Sequence, residues 1–120
     1  MKVIYISHPY SDNPVKNSAY AHIITMFLAK NTPDTCFINP LDLMRPQAAA
    51  DLSYDDILSQ CIEILKRCDA VIMAHGYEKS HGCKMELEAA RKYKKNVYFT
   101  TADFLIIDKP EVNSDEDSIV

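Results

Sequence analysis

Ala70-Val71-Ile72-Met73-Ala74 is an uninterrupted run of five apolar residues. A strand with one wet face alternates apolar and polar side chains. A short continuous run instead fits a strand covered on both faces, the pattern of a parallel sheet. Further β-rich runs lie at 2–7, 35–38 and 96–100, with a weaker one at 104–107. Between them the spacing turns helical. Val15, Ala19, Ile23, Met26 and Phe27 mark the expected inner face of a helix over about 15–30, with Asn13 to cap it and Pro14 at its first position. Ser53, Asp55 and Asp56 open a second helix reaching about Arg67, with Ile57, Leu58, Cys61, Ile62 and Leu65 inward. A third runs from about His81 to Lys94. Residues 41–52 have no clear period and read as a loop. The order β-α-β-α-β-α-β-β predicts an α/β fold, a parallel sheet with helices on both faces. Such sheets bind ligands at the carboxyl ends of their strands, which directs attention to residues 7–14 and 74–82.

At 120 residues the chain is one domain by size. We expect that domain over 1–107, followed by an acidic, disordered tail over 108–120. Glu111, Asp115, Glu116 and Asp117 of that tail carry much of the net charge of −4. The body is near neutral, so a basic nucleic-acid footprint is absent. No run approaches the ~18 apolar residues of a membrane span. The first run is interrupted by His8-Pro9 too soon for a signal peptide, so a cytoplasmic location is expected. Cys36, Cys61, Cys68 and Cys83 show no C-x-x-C spacing and read as reduced thiols. With two glycines in the whole chain, Gly76 and Gly82, neither a dinucleotide fingerprint nor a Walker loop can be built.

The segment Ser80-His81-Gly82-Cys83-Lys84-Met85-Glu86 carries the most chemistry. Ser80 can cap the third helix, and Gly82 leaves its first amides open to an anion; a plain cap with a nearby glycine fits the same residues. At about 100° per residue, Leu87 and Ala90 fall beside Cys83 on the inward arc, and Glu86 falls on that arc too. A carboxylate there must be hydrogen-bonded or face a polar cleft. The helix dipole would help keep it ionised, as a nucleophile at a sugar carbon requires. A Glu at the rim, paired with Lys or Arg, is the alternative. Tyr10 and Tyr77 flank the expected pocket, where they would stack a base or pack its rim. His8, His75 and His81 are scattered loop histidines, and no metal site is expected.

At these residues the chain resembles the nucleoside 2-deoxyribosyltransferase-like superfamily, and most nearly its small DUF4406-type branch. The matching pieces are Tyr5-Ile6-Ser7-His8-Pro9-Tyr10-Ser11, Cys68-Asp69-Ala70, and Tyr77, Ser80, Gly82, Cys83, Glu86 and Ala90 in their spacing. The resemblance implies a flavodoxin-like three-layer sandwich with strand order 2-1-3-4-5. It implies that Glu86 attacks C1′ of a ribose or deoxyribose, that the base departs, and that water or a second base releases the sugar. It places Ser80, with Gly82 and Cys83, at a 5′-phosphate, which favours hydrolysis of nucleoside monophosphates over base exchange. Ser7, His8, Pro9, Tyr10 and Ser11 form the other wall in this picture, with Tyr77 nearby. The expected partners are a small nucleotide or nucleoside and a second copy in a homodimer, with no cofactor, nucleic-acid polymer or membrane. Two departures stand out: His8 stands where relatives often have Gly, and would hydrogen-bond a leaving base or narrow the pocket, and Cys61 occupies a position where family enzymes carry an Asp. A thiol is neither a charged acceptor nor a ready proton donor, so a binding module without chemistry is the second reading, and a deoxyribosyltransferase the third.

Overall fold

The computed structural model describes residues 1–108. β1 (Lys2–Ser7) leads into helix α1 (Pro14–Asn31), whose first free amides are met by the Asn13 side chain, which accepts from Lys16 N at 3.2 Å. β2 (Thr35–Ile38) follows, then α2 (Pro40–Leu43), α3 (Arg45–Ala49) and α4 (Tyr54–Lys66). β3 (Ala70–Met73) is buried at every position. A single 3₁₀ turn (Tyr77–Lys79) precedes α5 (His81–Lys92), and β4 (Asn96–Thr100) and β5 (Ile106–Ile107) complete the sheet.

The strands stand in the order β2-β1-β3-β4-β5, as expected for a flavodoxin-like α/β sandwich. β1 pairs in parallel with β2 and β3, and β3 with β4. β5, however, runs antiparallel to β4, which corrects the expectation of an all-parallel sheet. The cause is length: a parallel return needs a crossover of a dozen or more residues. Here only 101–105 separate the strands. Thr101 folds that stretch into a turn, its Oγ1 accepting from Asp103 N and Leu105 N, with Phe104 in the left-handed region at φ 65°.

Alternation along the strands sorts the core into two layers. Tyr5, Val71, Met73 and Phe99 pack under α4 and α5, against Cys61, Leu65, Cys83, Leu87 and Ala90. Ile6 and Ile72 face α1, against Ile24 and Leu28. Two local expectations fail. The stretch 41–52 contains two short helices, because Asn39 accepts from Leu41 N and Pro40 and Pro46 sit at first-turn positions that suit proline. The inner face of α1 is Ala21, Ile24 and Leu28, whereas Val15, Ile23, Met26 and Phe27 are exposed. Apolar residues run almost right round this helix, and its longer apolar stripe is the one turned outward. The tail 109–120, where most of the acidic expectation falls, lies outside the described residues. Among the described residues no helix is long and apolar enough to cross a membrane.

Candidate active site

β1 and β3 are neighbours whose following helices leave to opposite faces, α1 to one and α5 to the other. The loops therefore part at their carboxyl ends and open a crevice. A cavity of about 230 Å³ lies there. Glu86 reaches it from the second turn of α5.

Glu86 is 6% exposed and is held by two hydroxyls from β1. The Tyr5 hydroxyl donates to its Oε2, and Ser7 Oγ donates to Oε1 at 2.8 Å. No cation pairs with it among the described salt bridges, so the rim ion pair considered from the sequence does not form. Burial pushes its pKa up to about 7, and the hydrogen bonds from Tyr5 and Ser7 offset only part of that rise. Desolvation thus works against the ionised form that a nucleophile requires, and the two hydroxyls work for it. The same burial, followed by the Glu86 charge, raises the Tyr5 phenol well above its ordinary value, so it remains a donor.

Ser80 caps α5, its Oγ accepting from Cys83 N at 3.2 Å. Its side chain also lines the cavity. Gly82 is tied to a residue the sequence reading passed over. A Cβ at Gly82 would lie 2.9 Å from the Tyr54 hydroxyl, so Tyr54 stands against the start of α5, while Ser80 and Gly82 still line the cavity beside it. Tyr54 also packs on His81, ring centroids 6.3 Å apart.

His8, Tyr10, Ser11, Ser80, Gly82 and Glu86 all line the cavity. Four expected site residues do not. Ser7 is fully buried and touches the cavity's chemistry only through Glu86. Pro9 turns toward Gly76, where an added Cβ would meet its ring at 3.8 Å. Tyr77 packs on Phe99, with centroids 5.4 Å apart, as part of the core. Cys83 is 1% exposed and belongs to the core cluster; burial pushes its thiol up to about 11, against hydrogen bonds with Ser7 and Ser80. The reason is geometric: α5 turns Cys83 straight at the sheet, and only its first residues and Glu86 reach the opening.

The far wall was missed because it comes from 40–48, read as a loop, and from the α4 face, read only as core. Met44, Ile57, Leu58 and Cys61 line it. Burial and then the Glu86 charge push the Cys61 thiol up to about 11, so it is neutral there. Arg45 lines the cavity mouth with its guanidinium 2.7 Å from Asp42. Among the described residues no three His, Cys, Asp or Glu side chains gather as a metal site. Asp69, at the opposite end of the sheet, accepts from Val3 N at 2.8 Å.

This is a flavodoxin-like α/β domain with a desolvated, uncompensated carboxylate at its switch-point crevice. The chain belongs to the family described as Domain of unknown function (DUF4406), whose model matches residues 2–99. Among solved structures it is similar to a 2-desoxiribosyltransferase from Leishmania mexicana, with 22% identity and a TM-score of 0.61. The likeness covers 83% of this chain and 64% of that one, so the chain spans under two thirds of its structural relative. At that identity the likeness establishes the shared fold. No curated protein matches the sequence.

Proposed function

We propose that the chain cleaves the N-glycosidic bond of a nucleoside or deoxynucleoside 5′-monophosphate, with Glu86 as nucleophile. The observation that carries this reading is Glu86 itself: a carboxylate at a cavity, gripped by two hydroxyls and paired with no cation among the described residues. Stability alone disfavours such a group. Its Oε atom attacks C1′, the C1′–N bond breaks, and the electron pair leaves with the base. Water then attacks C1′ of the glycosyl-enzyme, the C1′–Oε bond breaks to return the carboxylate, and the proton that water gives up balances the one the departed base gains. The Ser80 hydroxyl and the first amides of α5 take the 5′-phosphate, where the helix dipole favours negative charge. The deciding experiment incubates the protein with a panel of (deoxy)nucleoside monophosphates, with and without a free acceptor base. Release of free base supports hydrolysis; exchange of bases supports a deoxyribosyltransferase. Binding without turnover supports the binding module, the reading that the neutral Cys61 thiol favours.

The assembly belongs to the same proposal. A cavity of about 230 Å³ falls below the ~300–1,000 Å³ of ordinary ligand pockets. Tyr10, Ser18 and Arg45 line both this cavity and an open groove along α1, beside Val15, Ala19 and Ile23. A second copy packing its own α1 on that apolar stripe would cover the stripe and narrow the mouth. Sedimentation at micromolar concentration tests it: a homodimer is expected, and a monomer overturns it.

A further inference from the structure

The cavity has two unlike sides. Leu41, Met44, Ile57 and Leu58 face it from α2 to α4 without a hydrogen-bonding side-chain atom. A flat base resting on that wall must turn its polar edge toward the β1 loop. His8 stands there, one residue beyond Ser7, whose hydroxyl grips Glu86. Its Nδ1 lies 2.8 Å from the Pro9 carbonyl oxygen. A carbonyl oxygen can only accept, so Nδ1 carries the hydrogen, and the neutral ring keeps its lone pair on Nε2. Burial lowers the His8 pKa below its ordinary value, against the pull of the Pro9 carbonyl and of Asp12. Near pH 7.5 the ring is therefore an acceptor. Resting on the nucleotide reading above, we propose that His8 Nε2 accepts an N–H from an exocyclic amino group of the base, such as cytosine and adenine carry.

Protonation would turn this acceptor into a donor. The other titratable or charged groups at the cavity are Tyr10, Arg45 on α3, Tyr54 and Cys61 on α4, and Glu86 on α5; Asp12 stands nearby in the β1–α1 loop. Of these, Glu86 titrates in the same range. The test therefore uses the Glu86→Gln variant, which removes that titration and prevents turnover. Calorimetry compares cytidine 5′-monophosphate with the monophosphate of pyrimidin-2-one riboside, the same ring without the amino group. Adenosine 5′-monophosphate and purine riboside 5′-monophosphate form the second pair, and both pairs are run in the ribose and deoxyribose series. The amino-bearing member of at least one pair is expected to bind about tenfold tighter at pH 7.5, and the ratio to fall toward one as pH drops through the His8 midpoint, which an NMR titration of the ring locates. Adding His8→Gln, which can hydrogen-bond but cannot titrate, should make the ratio independent of pH. Ratios near one at pH 7.5, a preference undiminished below the His8 midpoint, or a pH dependence that survives His8→Gln each overturn the role of His8 while leaving the nucleotide reading standing. Failure of all the monophosphates to bind overturns both.

Discussion

Helices α1 and α5 flank the same sheet from opposite sides, and each carries something that folding did not require. α5 sorts its residues as an amphipathic helix should, with Cys83, Leu87 and Ala90 inward, then breaks the pattern with a buried Glu86. α1 has apolar residues to spare: Ala21, Ile24 and Leu28 satisfy the sheet, while Ile23, Met26 and Phe27 remain in the open. A buried charge and an exposed apolar stripe are opposite errors by the same rule. The first points to chemistry inside the subunit, the second to contact outside it.

The largest expected effect lies on α5. Glu86→Ala should abolish base release, a loss of about a thousandfold or more if the carboxylate is the nucleophile; release assays at saturating nucleotide check it, and undiminished release would end the assignment. The pH profile follows from the same group. Glu86 must be ionised to attack, so kcat/KM should rise with pH through about 7. Tyr5→Phe, which removes a donor to the carboxylate, should move that midpoint upward by about one unit.

Stability should divide the two helices next. Burial raises the folded-state pKa of Glu86 from 4.5 to about 7, so the folded state binds the extra proton. This contribution is full below about 4.5 and is lost as pH rises through about 7, amounting to roughly 3 kcal/mol. Glu86→Gln should therefore raise the melting temperature at pH 8 and leave it nearly unchanged at pH 4. On α1, Ile24→Ala should cost about 2–4 kcal/mol in urea unfolding, because it empties a core position 1% exposed. Met26→Glu, on the outer stripe, should leave the monomer within about 0.5 kcal/mol yet shift sedimentation from dimer to monomer. The smallest effect is expected at the start of α5. Gly82→Ala must displace the Tyr54 hydroxyl and should weaken nucleotide binding severalfold, and Tyr54→Phe in the same protein should restore part of it.

How legible each feature was depended on how many patterns competed for it. The parallel sheet covered on both faces could be read because Ala70–Met73 is apolar throughout and turn residues bracket each strand, whereas its order followed only from the family resemblance. The position of Glu86 could be read because α5 has one apolar arc and nothing rivals it. α1 offers two arcs at the same spacing, and periodicity alone favours the longer, which is the wrong one. The direction of β5 was in principle readable from the short 101–105 link. The wall around Met44 was not, because short proline-started helices leave no period. Tyr54 escaped notice because its link to Gly82 joins residues 28 apart in sequence on different helices.

The partners that grip the carboxylate lie 81 and 79 residues away along the chain, on the very first strand. Glu86 emerges late in synthesis and meets Tyr5 and Ser7 only once the sheet centre has closed beneath α5. On the proposed reading, reactivity would thus be withheld from nascent or half-assembled chains, and attack on a sugar would report that the tertiary structure is complete.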